Sequence, residues 1–378
     1  MSSDSPQSST TLFDQLAARI RLEGAITVAD YMSEVLTAPR GKSGAGYYME
    51  GNPFGAQGDF ITAPEISQMF GEMLGLWLAD TWANMGAPEK VILAEPGPGR
   101  GTLMADALRA ARMVPDFIRA IEIHLVEVSP ALREIQSEAL SGFDITWHNA
   151  ITELPEGKPL LLVANEFFDA LPIHQFEKSP QGWCERLITL NENADELVFA
   201  LGKPSPLIER GLPDSLRNSA EGTVFEHCPA SVLLTGEIAR RIKQDGGAAL
   251  IIDYGRDRFE PTPTLQAIRA HQFHPVLEAP GTADLSALVD FPALIGAAEQ
   301  SGILARGPVG QGTFLKGLGL EQRAEMLRAG ATPGQRESID QALERLTSPE
   351  QMGTLFKAIA LHHPEQPSPA GFPDRQSS

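Results

Sequence analysis

Cysteine is nearly missing: Cys184 and Cys228 are the only two in 378 residues. That excludes a disulfide framework and a cysteine-rich zinc site, and it suits two thiols in a reducing compartment. Histidine is scarce as well, and His271 with His274, or His362 with His363, lack companions at ligand spacing, so no metal is expected. Basic charge is outweighed, with 30 Lys and Arg against 49 Asp and Glu, a net charge of −19. A surface this acidic repels phosphate backbones, so a nucleic-acid partner is not expected. No window approaches the roughly 18 uninterrupted apolar residues of a membrane span. Residues Met1 to Thr11 are polar and carry no arginine, without the apolar run of a signal peptide or the basic face of a transit peptide. A soluble cytoplasmic protein without membrane insertion is the expectation.

What is present is an ordinary globular mixture, 42% hydrophobic and 21% charged. The length implies one large α/β domain with insertions, or two domains. Leu12, Leu16, Ile20 and Val28 to Leu36 lie at helical spacings, so residues 1–60 read as N-terminal helices followed by a glycine-rich loop. A helix is predicted from Glu65 to Trp82. Strand and helix then alternate. Strands are expected at Val91 to Ala94, Ile121 to Val128, Ile145 to Trp147, Leu160 to Ala164 and Ala248 to Asp253. Helices are expected at Thr102 to Val114, Ala131 to Leu140 and about Ser231 to Gln244. That rhythm argues for a doubly wound, mainly parallel sheet. The division expected is a first core part over 61–174, an insertion over 175–225, a second core part over 226–362 and a flexible tail over 363–378. Within the second part, a loop should lead to a helix at about Leu285 to Ser301, and Gly312 to Leu318 should form a late strand.

The sharpest local feature is Val91-Ile92-Leu93-Ala94-Glu95-Pro96-Gly97-Pro98-Gly99-Arg100-Gly101. An apolar strand ends in an acid, and three alternating glycines lead into a helix. Glycines let the backbone turn tightly and approach a ligand, and the helix start offers free N–H groups. A dinucleotide site wants G-x-G-x-x-G, but here the third glycine comes one position early and Glu95 would repel phosphate. A cationic nucleoside without phosphate fits better, and S-adenosyl-L-methionine is such a ligand. Glu127, before Val128 at the end of the second strand, is placed to accept ribose hydroxyls. Asn149 and Ala150, after the third strand, fall where the adenine edge would lie. Gly41-Lys42-Ser43 resembles the end of a phosphate-binding loop, but that motif needs a glycine where Leu36 stands.

The fourth strand ends in Asn165-Glu166-Phe167-Phe168-Asp169-Ala170-Leu171-Pro172, at the sheet edge where ligands bind in open parallel sheets. Two carboxylates and an amide beside two aromatics suit a cationic, partly apolar substrate group. The same acids could equally cap the next helix. His174 lies close by in sequence. Asp253-Tyr254-Gly255 ends the fifth strand on the same edge, as a turn residue or as part of the site. Asp284 reads as a helix N-cap.

With these residues assembled, the sequence resembles the MidA-like family of class I S-adenosylmethionine-dependent methyltransferases over roughly residues 12 to 360. The resemblance is most specific in Gly58 to Gln68, Glu95 to Gly101, Asn165 to Pro172 and Pro280 to Phe291. It implies a Rossmann-like, seven-stranded methyltransferase sheet with an N-terminal helical part and an insertion. It also implies a cofactor loop of Glu95, Gly97, Gly99 and Gly101, with Glu127 and Val128 at the ribose. The Gly58 to Gln68 segment, with Asp59 and Thr62, would add to the cofactor pocket. The mitochondrial members of the family are complex I assembly factors that act as protein arginine methyltransferases. A protein substrate is therefore implied, either a complex I peripheral-arm subunit of the 49 kDa type or its bacterial equivalent. Asn165, Glu166 and Asp169 are the implied catalytic group, similar to the start of the double-glutamate loop of symmetric arginine methyltransferases. Glu177 is the other residue near the spacing of that loop's second acid. A small-molecule methyltransferase, a nicotinamide oxidoreductase and a cofactor-binding assembly chaperone without turnover are the alternatives.

Overall fold

The computed structural model describes residues 11–38, 46–49, 62–216, 218–258 and 260–373. Gly41-Lys42-Ser43, Asp59 and the Gly58 to Ile61 part of the motif above lie outside the described residues. The chain divides into two compact units. The first takes residues 1–60, 170–230 and 260–287, and the second takes 61–169, 231–259 and 288–378. Residues 260–287, expected in the second core part, therefore belong with the N-terminal region.

In the first unit the helices Leu12–Glu23 and Val28–Thr37 begin where expected. Thr11 with Asp14, and Thr27 with Asp30, close reciprocal capping boxes at their starts. The unit holds a five-stranded antiparallel sheet built from Ile26–Thr27, His174–Ser179, Gly182–Leu190, Leu197–Pro204 and Val224–His227. A smaller antiparallel sheet joins Gln266–Arg269, Gln272–His274 and Asp284–Ser286. Asp284 is thus not a helix cap. It sits in a strand and accepts the Tyr48 hydroxyl at 2.9 Å.

The second unit is a seven-stranded sheet with helices packed on it. Its strands are β1 (Val91–Pro96), β2 (Ile121–Val126), β3 (Ile145–His148), β4 (Leu160–Asn165), β5 (Gly247–Arg256), β6 (Leu304–Gly310) and β7 (Phe356–His362). Their spatial order is β3-β2-β1-β4-β5-β7-β6. The first five run parallel, and β7 runs antiparallel to both neighbours. A two-residue strand, Val289–Asp290, adds to the end of β5. Every residue of β1, β4 and β5 is buried. This is why those stretches read as unbroken apolar runs, since a parallel sheet is covered on both faces. The resulting architecture is the expected one.

Several elements differ from the expectation, each for a local reason. The predicted Glu65 to Trp82 helix is two pieces, Ala63–Ile66 and Gln68–Asn84. Ser67 between them is extended and accepts the Met69 N–H with its hydroxyl, a new N-cap. The helix predicted from Leu285 starts at Phe291, because the Asp290 carboxylate caps it through Ala293 N–H at 3.1 Å and Pro292 occupies its first turn. Gly312 to Leu318 is not a strand but part of a helix, Gln311–Gly317. A short apolar run does not separate the two by pattern, and Gly312 serves close packing: a Cβ there would lie 2.4 Å from the Thr347 carbonyl oxygen. Ala370 and Phe372, in the stretch expected to be a flexible tail, make contacts with the core. The Trp77 indole donates to the Ala370 carbonyl at 3.2 Å, and Phe372 packs on Phe314. Among the described residues no helix is long and apolar enough to cross a membrane.

The helix Gln68–Asn84 lies against Thr102–Ala111, the helix that follows the glycine turn. The two approach closely at Gly71 and Gly75, and buried Glu72 receives Arg109 and Arg323 at 2.7 Å each. A Cβ on Gly75 would stand 2.2 Å from the Ala107 carbonyl oxygen. Overpacking of this kind costs about 3 kcal/mol, against roughly 1 kcal/mol that alanine gains over glycine in a helix. Gly75→Ala should therefore lower the urea midpoint by about 2 kcal/mol of stability at an unchanged slope. A midpoint equal to that of the parent protein would contradict the close approach.

Candidate active site

The second unit brings the predicted acids and glycines to one edge of its sheet. Parallel pairing aligns β1 with β2 and β4 with β5, so Glu95, Glu127, Glu166 and Asp253 all emerge at carboxyl ends of strands. After β1 the chain turns through Gly97, Gly99 and Gly101, at φ of 62°, 51° and 81°. All three lie in the left-handed region, where a side chain is strained. Gly101 is the N-cap of Thr102–Ala111 and supplies no side-chain cap, leaving N–H groups at that helix start for another acceptor. Gly97 has a second requirement: a Cβ would lie 2.7 Å from the edge of the Phe167 ring.

Glu95 is 3% exposed, and its Oε2 has no hydrogen-bond partner among the described residues. Burial pushes this carboxyl up to about 8. Glu127 is also buried. Its Oε1 accepts the Ser129 N–H at 2.8 Å and its Oε2 the Gln136 amide at 3.2 Å. Burial raises its pKa, and those two donors oppose the rise. Val128 is exposed beside it. Asn149 is exposed and accepts from Arg133, whose guanidinium also donates to the carbonyl of Glu127. Ala150 is half-buried at the start of the short turn Ile151–Glu153. Thr62 precedes the helix Ala63–Ile66 without capping it through its side chain. Two bonds tie that helix to the site: Glu166 accepts the Ala63 N–H at 3.0 Å, and Thr102 Oγ1 donates to Glu65 at 2.6 Å.

Glu166 follows β4 with φ of 50°, uncommon for a residue with a side chain. The Asn165 amide donates to its carboxylate at 3.1 Å. Burial of the carboxylate pushes it up to about 7, with Asp169 adding to the rise and the Ala63 N–H opposing it. Asp169 stands in the same turn. His174 and Glu177 belong to the other unit, where they pair with Glu185 and Arg186.

A family described as S-adenosyl-L-methionine-dependent methyltransferases matches residues 73–309. The chain belongs to this family. The mitochondrial protein arginine methyltransferase NDUFAF7 of Mus musculus is 40% identical over 379 residues, covering 93% of this chain and 84% of that protein. Its Danio rerio counterpart is 38% identical over 375 residues, covering 93% and 86%. A crystal structure of a COG1565 superfamily member from Burkholderia thailandensis, bound to S-adenosyl-homocysteine, superposes with a TM-score of 0.79. It is 29% identical and covers 93% of this chain and 92% of that one. The fold is that of a class I methyltransferase, and S-adenosyl-L-methionine is the cofactor. The expectation of a cytoplasmic location does not stand: the curated relatives from zebrafish, mouse and Drosophila melanogaster are mitochondrial.

The methyltransferase's own residues fit that cofactor. A buried carboxylate oxygen without a partner calls for a cation, and the cofactor carries an ammonium and a sulfonium. The helix that follows the glycines starts without a side-chain cap and so offers N–H groups to a ligand, and Glu127 retains lone pairs for hydroxyls. Sequence reasoning missed Gln136. Fully buried, it donates to the Gly99 carbonyl at 2.8 Å and to Glu127, and it accepts the Trp147 indole at 2.9 Å. One amide thus ties the glycine turn to the Glu127 carboxylate. The available signal was its place four residues after Leu132, a polar side chain on a helix's buried face.

A raised pKa at Glu95 gives binding a pH dependence with a definite sign. Below about pH 8 the free carboxyl is mainly protonated, and a cationic ligand selects the ionised form. Binding of S-adenosylmethionine at pH 7 should therefore release protons, read by calorimetry in buffers of different ionisation enthalpy. Glu95→Gln should remove that release. Identical proton release by the two proteins would contradict the assignment.

Proposed function

We propose that this methyltransferase transfers the methyl group to an arginine side chain of a protein, with Glu166 and Asp169 holding the guanidinium. The observation that carries the reading is the Glu166 carboxylate. It is half-buried at the end of β4 beside Asp169, in the same turn as the Phe167 ring that lies on Gly97. The curated relatives at 38–40% identity bear the name protein arginine methyltransferase. A separate open groove of about 500 Å³ is lined mainly by residues between Met326 and Ala342. It runs along Ile66, Ser67 and Gln68, adjoining the helix whose first N–H Glu166 holds.

In this reading Glu95, the glycine turn and Glu127 hold the cofactor, with Thr62, Val128, Asn149 and Ala150 at its margins. When bound, the cofactor supplies an electrophilic methyl carbon on a sulfonium, a good leaving group. The guanidinium has a pKa above about 12, so a carboxylate does not deprotonate it beforehand. Glu166 and Asp169 instead pair with the nitrogens that are not methylated. They draw positive charge toward themselves and leave the remaining nitrogen its lone pair, aligned for in-line attack. Asn165 donates to Glu166 and fixes the orientation of its carboxylate. Attack by that remaining nitrogen on the methyl carbon would leave the carbon–sulfur electron pair on sulfur, and the surplus proton on the methylated nitrogen would pass to solvent. A complex I peripheral-arm subunit of the 49 kDa type is the candidate acceptor that the family resemblance supplies.

Glu166→Gln keeps the shape and removes the charge. It should leave the dissociation constant for S-adenosylhomocysteine within a few fold and abolish methyl transfer to protein in lysate from cells lacking this chain. Equal loss of affinity and transfer would contradict the acceptor role.

A further inference from the structure

Asp253, just after the last β5 residue that pairs with β4, is completely buried, and its surroundings are not those of a core residue. Its Oδ2 accepts three successive backbone N–H groups from the turn after β4: Phe167 at 3.1 Å, Phe168 at 2.9 Å and Asp169 at 3.3 Å. Its Oδ1 accepts the Tyr254 N–H at 2.9 Å. The left-handed φ of Glu166 makes this convergence possible by turning the following three N–H groups to one side. The Glu166 N–H itself donates to the Ile252 carbonyl at 2.9 Å, so β5 grips the turn through both backbone and side chain.

The residue type is costly here. Asp253 lies near Glu166 and Asp169, and both like charges add to the effect of burial in raising its affinity for a proton. A buried carboxylate among carboxylates destabilises a fold unless something else requires it. What requires it is the turn: three converging donors on one side and a fourth on the other need an acceptor at both oxygens. An asparagine side chain would place its amide hydrogens against one of these donor sets.

The same turn carries the groups read above as holding the acceptor. It holds the Glu166 carboxylate, Asp169 and the Phe167 ring, which fills the space a Cβ on Gly97 would need. We infer that Asp253 is a positioning residue: it sets the acceptor turn after β4 against the glycine turn after β1, and so fixes the separation of methyl acceptor and methyl donor. The inference rests on the reading of Glu166 and Asp169 as acceptor-holding groups. Group transfer is sensitive to such spacing, since a displacement of about 1 Å can cost on the order of 100-fold in rate.

Asp253→Asn tests this at constant volume. Three quantities are read: unfolding temperature, S-adenosylhomocysteine affinity by calorimetry, and total methyl transfer from labelled S-adenosylmethionine into lysate from cells lacking the chain. Expected are an affinity and a KM for S-adenosylmethionine within about threefold of the parent, with kcat lowered about 30-fold or more. Transfer within threefold of the parent would overturn the proposal. A parallel loss of affinity and transfer would also overturn it, by making Asp253 merely structural. If the variant does not fold, hydrogen exchange on the parent protein decides. The amides of residues 167–169 should be protected like those of β5, and exchange at open-loop rates would overturn the proposal. Label found on an acceptor other than arginine would defeat the proposed substrate yet leave Asp253 judged on total transfer. A parent protein without measurable transfer would likewise leave the decision to hydrogen exchange.

Discussion

A buried carboxylate with one oxygen lacking any partner among the described residues is an unstable arrangement unless a cation comes to it. Glu95 is that group, and in the proposed reading the donor site is arranged around it. Its strand is apolar at every other position except the closing proline, so the acid has little solvent to relieve it. The turn that follows is left-handed at all three glycines, which keeps side chains away from the approach to the carboxylate. Gln136 locks that turn to Glu127 on the neighbouring strand. A pyrophosphate offers the Glu95 carboxyl no cation and would be repelled by its ionised form, although a glycine turn before a helix otherwise suits one.

The strand order gives the site its two sides. In β3-β2-β1-β4-β5 the direction of chain progression reverses between β1 and β4, and the loops leaving these strands separate to form a crevice. Glu95, the glycines and Glu127 lie on the β1–β2 side, and Glu166, Asp169 and Asp253 on the β4–β5 side. Phe167 touches across the crevice at Gly97. Asp169 adds to the proton affinity of Glu166, and both add to that of Asp253. A guanidinium entering there would replace protons with a permanent cation.

Much of this was legible in the sequence because burial on both faces leaves a plain signal. Val91 to Ala94, Leu160 to Ala164 and Ala248 to Asp253 read as strands since no polar residue interrupts them. Glu95 and the three glycines stood out because they break that pattern abruptly. Less legible were features whose cause is distant in sequence. Gly312 reads as strand or helix until Thr347 is seen against it, and β7 reaches the sheet only after four helices, Gln311–Gly317, Leu320–Ala329, Pro333–Thr347 and Met352–Leu355, have been traversed. Gln136 and Asp253 carry ordinary side chains whose partners lie on other strands and turns. Asp253 was visible as an acid on the right edge, but nothing local separates a turn residue from an acceptor of three backbone donors.

The central claim is that the Glu95 turn selects a positively charged, phosphate-free methyl donor. Its most direct test is a pair of calorimetric titrations of the intact protein, one with S-adenosylmethionine and one with NAD. Saturable binding of the first and none of the second is the result this account predicts. Binding of NAD with no uptake of S-adenosylmethionine would contradict it.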